Sequence, residues 1–272
     1  MPELTRSPRL GPLYRSAVLR RAVGDALDDT ELVLRNVSVD PAHLAGYNRV
    51  CGFRLGDTLP ATYPHVLAFP LAMALMARPA FPLPPLGLVH IANRIELSRP
   101  LTVDDTFDVA VRGEALRPHD RGTQVDVVAT ATVDGSPVWV GRSTYLRRSS
   151  GGLSSPREAE ELPPPTALIR VDRRVGPDYA AVSGDRNPIH TSRLLARAFG
   201  FPRTVAHGMW SKARCLAALE GRVPDSYTVD VAFKLPILLP ATVALRTSDA
   251  RQFTLHDAKT SIPHLAGTIT PL

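Results

Sequence analysis

Two stretches of this chain carry similar parts in the same order, and that repetition limits the fold more than any other feature. They flank RSSGGLSSPREAEELPPPT (148–166), whose Ser, Gly, Pro and charge content reads as a linker. Before it, YNRVCG (47–52) leads into an apolar helix candidate from Pro64 to about Ala77. Alternating segments follow at 89–97, 106–116, 123–133 and 136–146, with TQVDVVATATV (123–133) the clearest period-two pattern. After the linker, YAAVSG (179–184) leads to a second helix candidate, Gly208 to Glu220, with Gly221 placed to cap it. YTVDVAFKL (227–235), PILLPATVALR (236–246), RQFTL (251–255) and a last strand near His264–Thr270 complete that half. Each unit reads as one long helix followed by several strands, and a sheet wrapped on one buried helix is α+β. The expected division is 1–147, a linker at 148–166, and 167–272.

The rest of the composition removes function classes. The longest apolar run, VLAFPLAMALMA (66–77), is interrupted by Pro70 and is far short of the roughly 20 residues a spanning helix needs. It predicts a buried helix that Pro70 bends or starts late, not a membrane segment. No signal peptide is visible, because the N-terminal arginines have no apolar run behind them. Two cysteines, Cys51 and Cys215, provide neither a disulfide framework nor a metal quartet, which favours a cytoplasmic setting. The formal charge of +6 is spread over scattered arginines, and aromatics are only 6%, so no nucleic-acid stripe forms. The surplus suits an anionic ligand better. The histidines show no metal spacing, so no metal and no cofactor are expected.

The halves differ in one place. The second is about ten residues longer between Tyr179 and His207 than the first is between Tyr47 and His65, and the extra chain holds SGDRNPIHTS (183–192). Asp, Asn and Ser are common helix caps, so a plain structural turn is one reading. The other is chemical. A carboxylate and an imidazole aimed at one point, Asp185 and His190, can hold and activate a water, with Asn187 orienting either. RTVAHGMWS (203–211) then brings Gly208 to a helix start, where free N–H groups polarise a carbonyl. Together they suit addition of water to a C=C bond conjugated with a carbonyl, or the reverse. His207 reads as a structural group bonded to nearby backbone, and Trp139 and Trp210 read as core.

YAAVSGDRNPIH followed by AHGM resembles the hydratase-2 motif of MaoC-like (R)-specific enoyl-thioester hydratases and dehydratases. The likeness is good over about residues 175–245, and the whole chain is similar to the family's double-hotdog members. It implies two antiparallel sheets, each wrapped on a central helix, with a degenerate first hotdog supporting a catalytic second one. It also implies that Asp185 and His190 hold the water as acid and base, and that Asn187 supports them. Ser183 and Gly184 would shape the turn, and the Gly208 N–H would bind the thioester carbonyl. The substrate would be an acyl-CoA or acyl-carrier-protein thioester of fatty acid metabolism, and a monomer or a homodimer fits. Ala72, Ala74 and Ala77 would leave room for an acyl chain, against the plainer reading of core packing. Two rivals stand beside this. A hotdog thioesterase would want a carboxylate along the central helix, where Glu220 lies at the far end. A non-catalytic acyl-thioester or partner-binding subunit would leave Asp185 and His190 without a task.

Overall fold

The repeat is written into the strand order of the computed structural model, which describes residues 3–19, 26–149, 162–249 and 251–272. Most of the expected linker lies outside the described residues. Strand β1 (Glu3–Leu4) and helix α1 (Leu10–Leu19) precede the first unit. That unit runs β2 (Glu31–Val37), α2 (Pro41–Cys51), α3 (Tyr63–Met76), β3 (Leu88–Leu97), β4 (Phe107–His119), β5 (Gly122–Val133) and β6 (Ser136–Arg148). The second runs β7 (Ala167–Val171), α4 (Val175–Ser183), α5 (Pro188–Thr191), α6 (Arg193–Ala198), α7 (Gly208–Ala218), β8 (Tyr227–Phe233), β9 (Ala241–Ser248), β10 (Gln252–Asp257) and β11 (Pro263–Pro271).

The sheet order is β1-β2-β4-β5-β6-β3-β8-β11-β10-β9-β7. Within the two units it reads β2-β4-β5-β6-β3 and, from the other end, β7-β9-β10-β11-β8. The corresponding elements therefore occupy corresponding places, and the architecture is an α+β double hotdog. The two expected sheets join edge to edge. β3 and β8 pair antiparallel from Ala92↔Ala232 to Leu97↔Tyr227, fusing both halves into one eleven-stranded sheet. Left apart, each half would expose a long edge strand with unpaired backbone groups.

The two central helices bury different chemistry. α3 is apolar all round and buries ten of its fourteen residues, as a core helix must. It begins at Tyr63 and stays helical through Pro70, so the expected late start is not seen. Proline removes one helical hydrogen bond, and burial of the flanking Phe69, Leu71, Ala72 and Met73 offsets that loss. α7 is short and built from small and mixed residues, with Ala213 and Cys215 fully buried. It ends at Ala218, and Gly221 follows it at φ +75 instead of capping it. Trp139 and Trp210 are core residues, and their indoles donate to Ala61 O (2.7 Å) and Val50 O (3.0 Å).

α2 and α4 meet where the units face each other. Their tyrosines, Tyr47 and Tyr179, lie 6.2 Å apart by ring centroid. Both are buried.

Candidate active site

The SGDRNPIHTS stretch folds as a helix end, a tight turn and a one-turn helix. Gly184 caps α4 in the left-handed conformation (φ +74), where a side chain is strained. Ser183 Oγ accepts from Asp185 N at 3.2 Å, and Asp185 Oδ1 accepts from Asn187 N at 3.1 Å. Asn187 then caps α5, its Oδ1 accepting from Ile189 N (3.4 Å). Its backbone N–H braces Asp185 while its side chain starts the helix carrying His190. His190 lies within that single turn of helix, and Ser192 caps the next one, α6.

His190 is held by the chain that precedes α7. Residues 204–206 pair with 237–239 through Ala206 N to Ile237 O (3.0 Å) and Leu239 N to Thr204 O (2.8 Å). This presents Val205 O to His190 Nδ1 at 2.8 Å. A carbonyl only accepts, so Nδ1 carries the proton and Nε2 the lone pair. Gly176 in α4 lets the short helix close in, since a Cβ there would sit 2.1 Å from His190 O.

His207 stacks on His190 with centroids 3.6 Å apart and donates from Nε2 to Asp185 O (2.9 Å). One ligand-type atom from each of Asp185, His190 and His207 lies within 4.8 Å of the others, a grouping that could also hold a metal ion. Burial pushes both rings down: His190 falls below the usual imidazole range, and His207 is lowered to about 3 by burial first and then by His190. Burial alone would raise the Asp185 carboxyl. The two histidines, the Asn187 N–H and the Tyr14 hydroxyl outweigh it, so the group stays below its usual value. At neutral pH the site thus holds an ionised carboxylate beside a neutral imidazole with a free lone pair.

Gly208 opens α7 directly after His207, and no side chain caps that helix. Its first N–H groups are therefore available to a ligand. The Phe233 ring covers the glycine, and an added Cβ would meet it at 3.2 Å. From there an aromatic wall runs into the first unit. Phe233 faces His90 at 4.9 Å, His90 stacks on Tyr145 at 4.7 Å, and His65 lies 6.3 Å from His90. Burial lowers His90 to about 3 and His65 to about 4, so both are neutral.

The structure thus gathers Asp185, His190, Asn187, Ser183 and Gly184 at one point, with Gly208 beside them. Ala72 is buried on α3, Ala74 half-buried, and Ala77 is that helix's C-terminal cap residue, beyond Phe69 along its axis. Glu220 is engaged at the far end of α7, where its Oε2 accepts from Arg54 N at 3.0 Å. A groove of about 620 Å³ crosses the β3–β8 seam at Arg94, Arg142 and Asp230, and none of the motif residues lines it. Sequence reasoning missed Tyr14, His65, His90, Tyr145, Gly176 and Phe233. No local pattern marks them, since each reaches the site across the fold. A buried Lys212 was also missed: its Nζ bonds Asn93 Oδ1 (2.6 Å), Asn93 O (3.0 Å) and Val229 O (3.0 Å) across the seam.

A carboxylate and two imidazoles gathered beside an uncapped helix start, inside a double hotdog, have counterparts of known class. Residues 168–260 match the MaoC like domain. The chain is 38% identical over 256 residues to 3-hydroxyacyl-thioester dehydratase X of Mycobacterium tuberculosis, covering 91% of each. It therefore belongs to the MaoC-like dehydratase family. The crystal structure of HtdX from the same organism superposes with a TM-score of 0.81 at 37% identity, over 89% of this chain and all of that one. Enoyl-CoA hydratase ChsH3 of Mycobacterium tuberculosis is 26% identical over 53% of both chains. A MaoC-like dehydratase from Phytophthora capsici, at 17% identity and TM-score 0.71 over 90% and 96% of the chains, shares the fold. The chain is accordingly a hydro-lyase of the hydratase and dehydratase kind that serves fatty acid metabolism. Among the described residues no helix is long and apolar enough to cross a membrane.

Proposed function

We propose that the protein adds water to trans-2-enoyl thioesters to give (3R)-3-hydroxyacyl thioesters, or runs the reverse dehydration, and that Asp185 and His190 do the chemistry. The observation that carries this reading is the fixed tautomer of His190: Nδ1 is spent on Val205 O, which leaves the lone pair on Nε2, and one nitrogen of that ring lies within 4.8 Å of an Asp185 carboxylate oxygen. The Gly208 N–H polarises the thioester carbonyl and makes C3 electrophilic. A water held between Asp185 and His190 gives up a proton to His190 Nε2 as its oxygen bonds to C3. The electron pair of the C=C bond moves toward the carbonyl, and the proton returns to C2 from the same face. Asn187, Ser183 and Gly184 support the turn, while Ala72, Ala74 and Ala77 belong to the acyl-chain side.

The same reading divides the chain into a supporting unit at 1–147, a linker at 148–166 and a catalytic unit at 167–272. The substrate is an acyl-CoA or acyl-carrier-protein thioester, with no role for nucleic acid or membrane, and the chain works as a monomer or homodimer. Two buried free cysteines, Cys51 and Cys215, support a cytoplasmic setting. Glu220, tied to Arg54, speaks against a thioesterase.

The test is loss of the enoyl-thioester absorbance with crotonyl-CoA and a medium-chain enoyl-CoA. Wild type should consume substrate and yield the (3R) alcohol, and Asp185→Asn and His190→Ala should each fall by about 10³-fold. Release of free thiol without the alcohol would replace this reading with the thioesterase.

A further inference from the structure

The carboxylate of Asp185 is not held by its own turn alone. Helix α1 lies ahead of both repeat units, yet it reaches the site. Tyr14 Oη lies 3.2 Å from Asp185 Oδ1 and 3.2 Å from Gly184 O, and it accepts from Arg186 N at 2.8 Å. The Arg186 N–H occupies the phenol's lone-pair side, so the hydroxyl proton is turned toward the two acceptors. Of these the carboxylate is charged and is the stronger. Leu10, one turn earlier, packs on the same turn: a Cβ on Gly184 would sit 2.4 Å from Leu10 Cδ1. Gly184 is thus needed twice, once for its φ and once for the approach of α1.

We infer that Tyr14 is a positioning residue of the hydration site, its hydroxyl holding Asp185 Oδ1 so that Oδ2 is the oxygen presented to water. With the Tyr14 O–H and the Asn187 N–H both on Oδ1, that oxygen is saturated and the side chain cannot swing. Among the described residues, Oδ2 has a long approach, 3.9 Å, from His207 Nε2. One carboxylate oxygen anchors and the other works. This inference rests on the hydration reading above and deepens it. It gives a segment outside the repeat a task in the reaction.

Tyr14→Phe removes the hydroxyl and keeps the ring, and Tyr14→Ala removes both. Each should be assayed on the full chain with crotonyl-CoA, beside a melting curve. We expect kcat of Tyr14→Phe to fall by about tenfold, the worth of one hydrogen bond to a charged group, with KM within about twofold and the melting temperature held. Its acid limb should also move. The Tyr14 O–H stabilises the charged carboxylate, so its loss raises the Asp185 pKa and shifts the fall in kcat to higher pH. The other titratable groups facing Asp185 are His65 on α3, His90 on β3, Tyr145 on β6, Tyr179 on α4, His190 on α5 and His207 before α7, and none changes in this variant. Wild-type kcat and an unmoved acid limb in Tyr14→Phe, with loss only in Tyr14→Ala, would reduce Tyr14 to packing and overturn the inference while leaving hydration intact. No turnover by wild type would instead remove the hydration reading, and the inference with it.

Discussion

The two repeat units start their central helices in opposite ways. In the first, Tyr63 N already donates to Pro60 O at 2.7 Å, and Pro64 has no N–H to offer. In the second, Gly208 follows His207 with no side-chain cap, and its backbone is open. The first helix end is closed by backbone and proline, and the second keeps N–H groups that no side chain caps. The units differ as sharply in what lies before the helix. The second inserts α5 and α6 there and gains His190. The first goes from α2 to α3 without such helices, and its His65 and Phe69 rings lie 6.5 Å apart by centroid on α3. Duplication therefore separated two demands. One copy supplies the wall, and the other carries the Gly184 turn and the Asp185–His190 cluster. The fused sheet keeps them in register.

Changes that make the second unit more like the first should break this division, most severely at the motif. The roughly 10³-fold loss expected for Asp185→Asn is the largest effect. Lys212 comes next, because α3 contains no charged residue and α7 buries this one completely. Burial drives its pKa well down, yet its three oxygen partners at 2.6–3.0 Å call for three N–H donors. Lys212→Met would strand those oxygens at the β3–β8 seam. It should cost about 3 kcal/mol in a urea titration. Unchanged stability would show that strand pairing alone joins the halves.

The helix starts offer a paired test. Gly208→Ala keeps the N–H but presses a methyl against Phe233, and kcat should drop by about tenfold. Pro64→Ala, at the corresponding end of α3, should leave kcat unchanged. Equal losses would dissolve the distinction between a spent and an open helix end.

The effect that no single position carries is a dependence of stability on pH. His65, His90 and His207 are lowered to about 4, about 3 and about 3, with burial the first cause in each. The unfolded chain binds these protons near pH 6.5 and the folded chain does not, so stability is lost as pH falls below that value. Each ring contributes up to about 1.4 kcal/mol per pH unit. A melting temperature flat from pH 7 to pH 5 would mean that these rings take up protons in place. His90→Phe should flatten the slope by about one third of their joint share, from the first unit's side of the wall.

Much of this was legible in the sequence, and the reasons are local. Asp185, Asn187 and His190 sit within six positions, so one turn and one helical turn bring them together. Gly208 stood out because a glycine at a helix start has a backbone consequence whatever surrounds it. Strand periodicity gave β3 to β6 to within a few residues. Short or partly polar segments gave no such signal: β2, β7, α1 and α4 were not anticipated as elements, and α5 was hidden in what read as a turn. His207 was expected to bond backbone, and it does, but its stacking on His190 depends on a loop held by residues 237–239.

The sequence by itself therefore determined the repeat, the α+β class and the closeness of Asp185 to His190, because each rests on patterns among near neighbours in the chain. The tertiary structure decided which His190 nitrogen bears the proton, that Tyr14 shares Asp185, that the first unit lines the second unit's site, and that one sheet spans both. Those are pairings between residues up to about 170 positions apart. Only the packed fold chooses among the many partners that each group could have found.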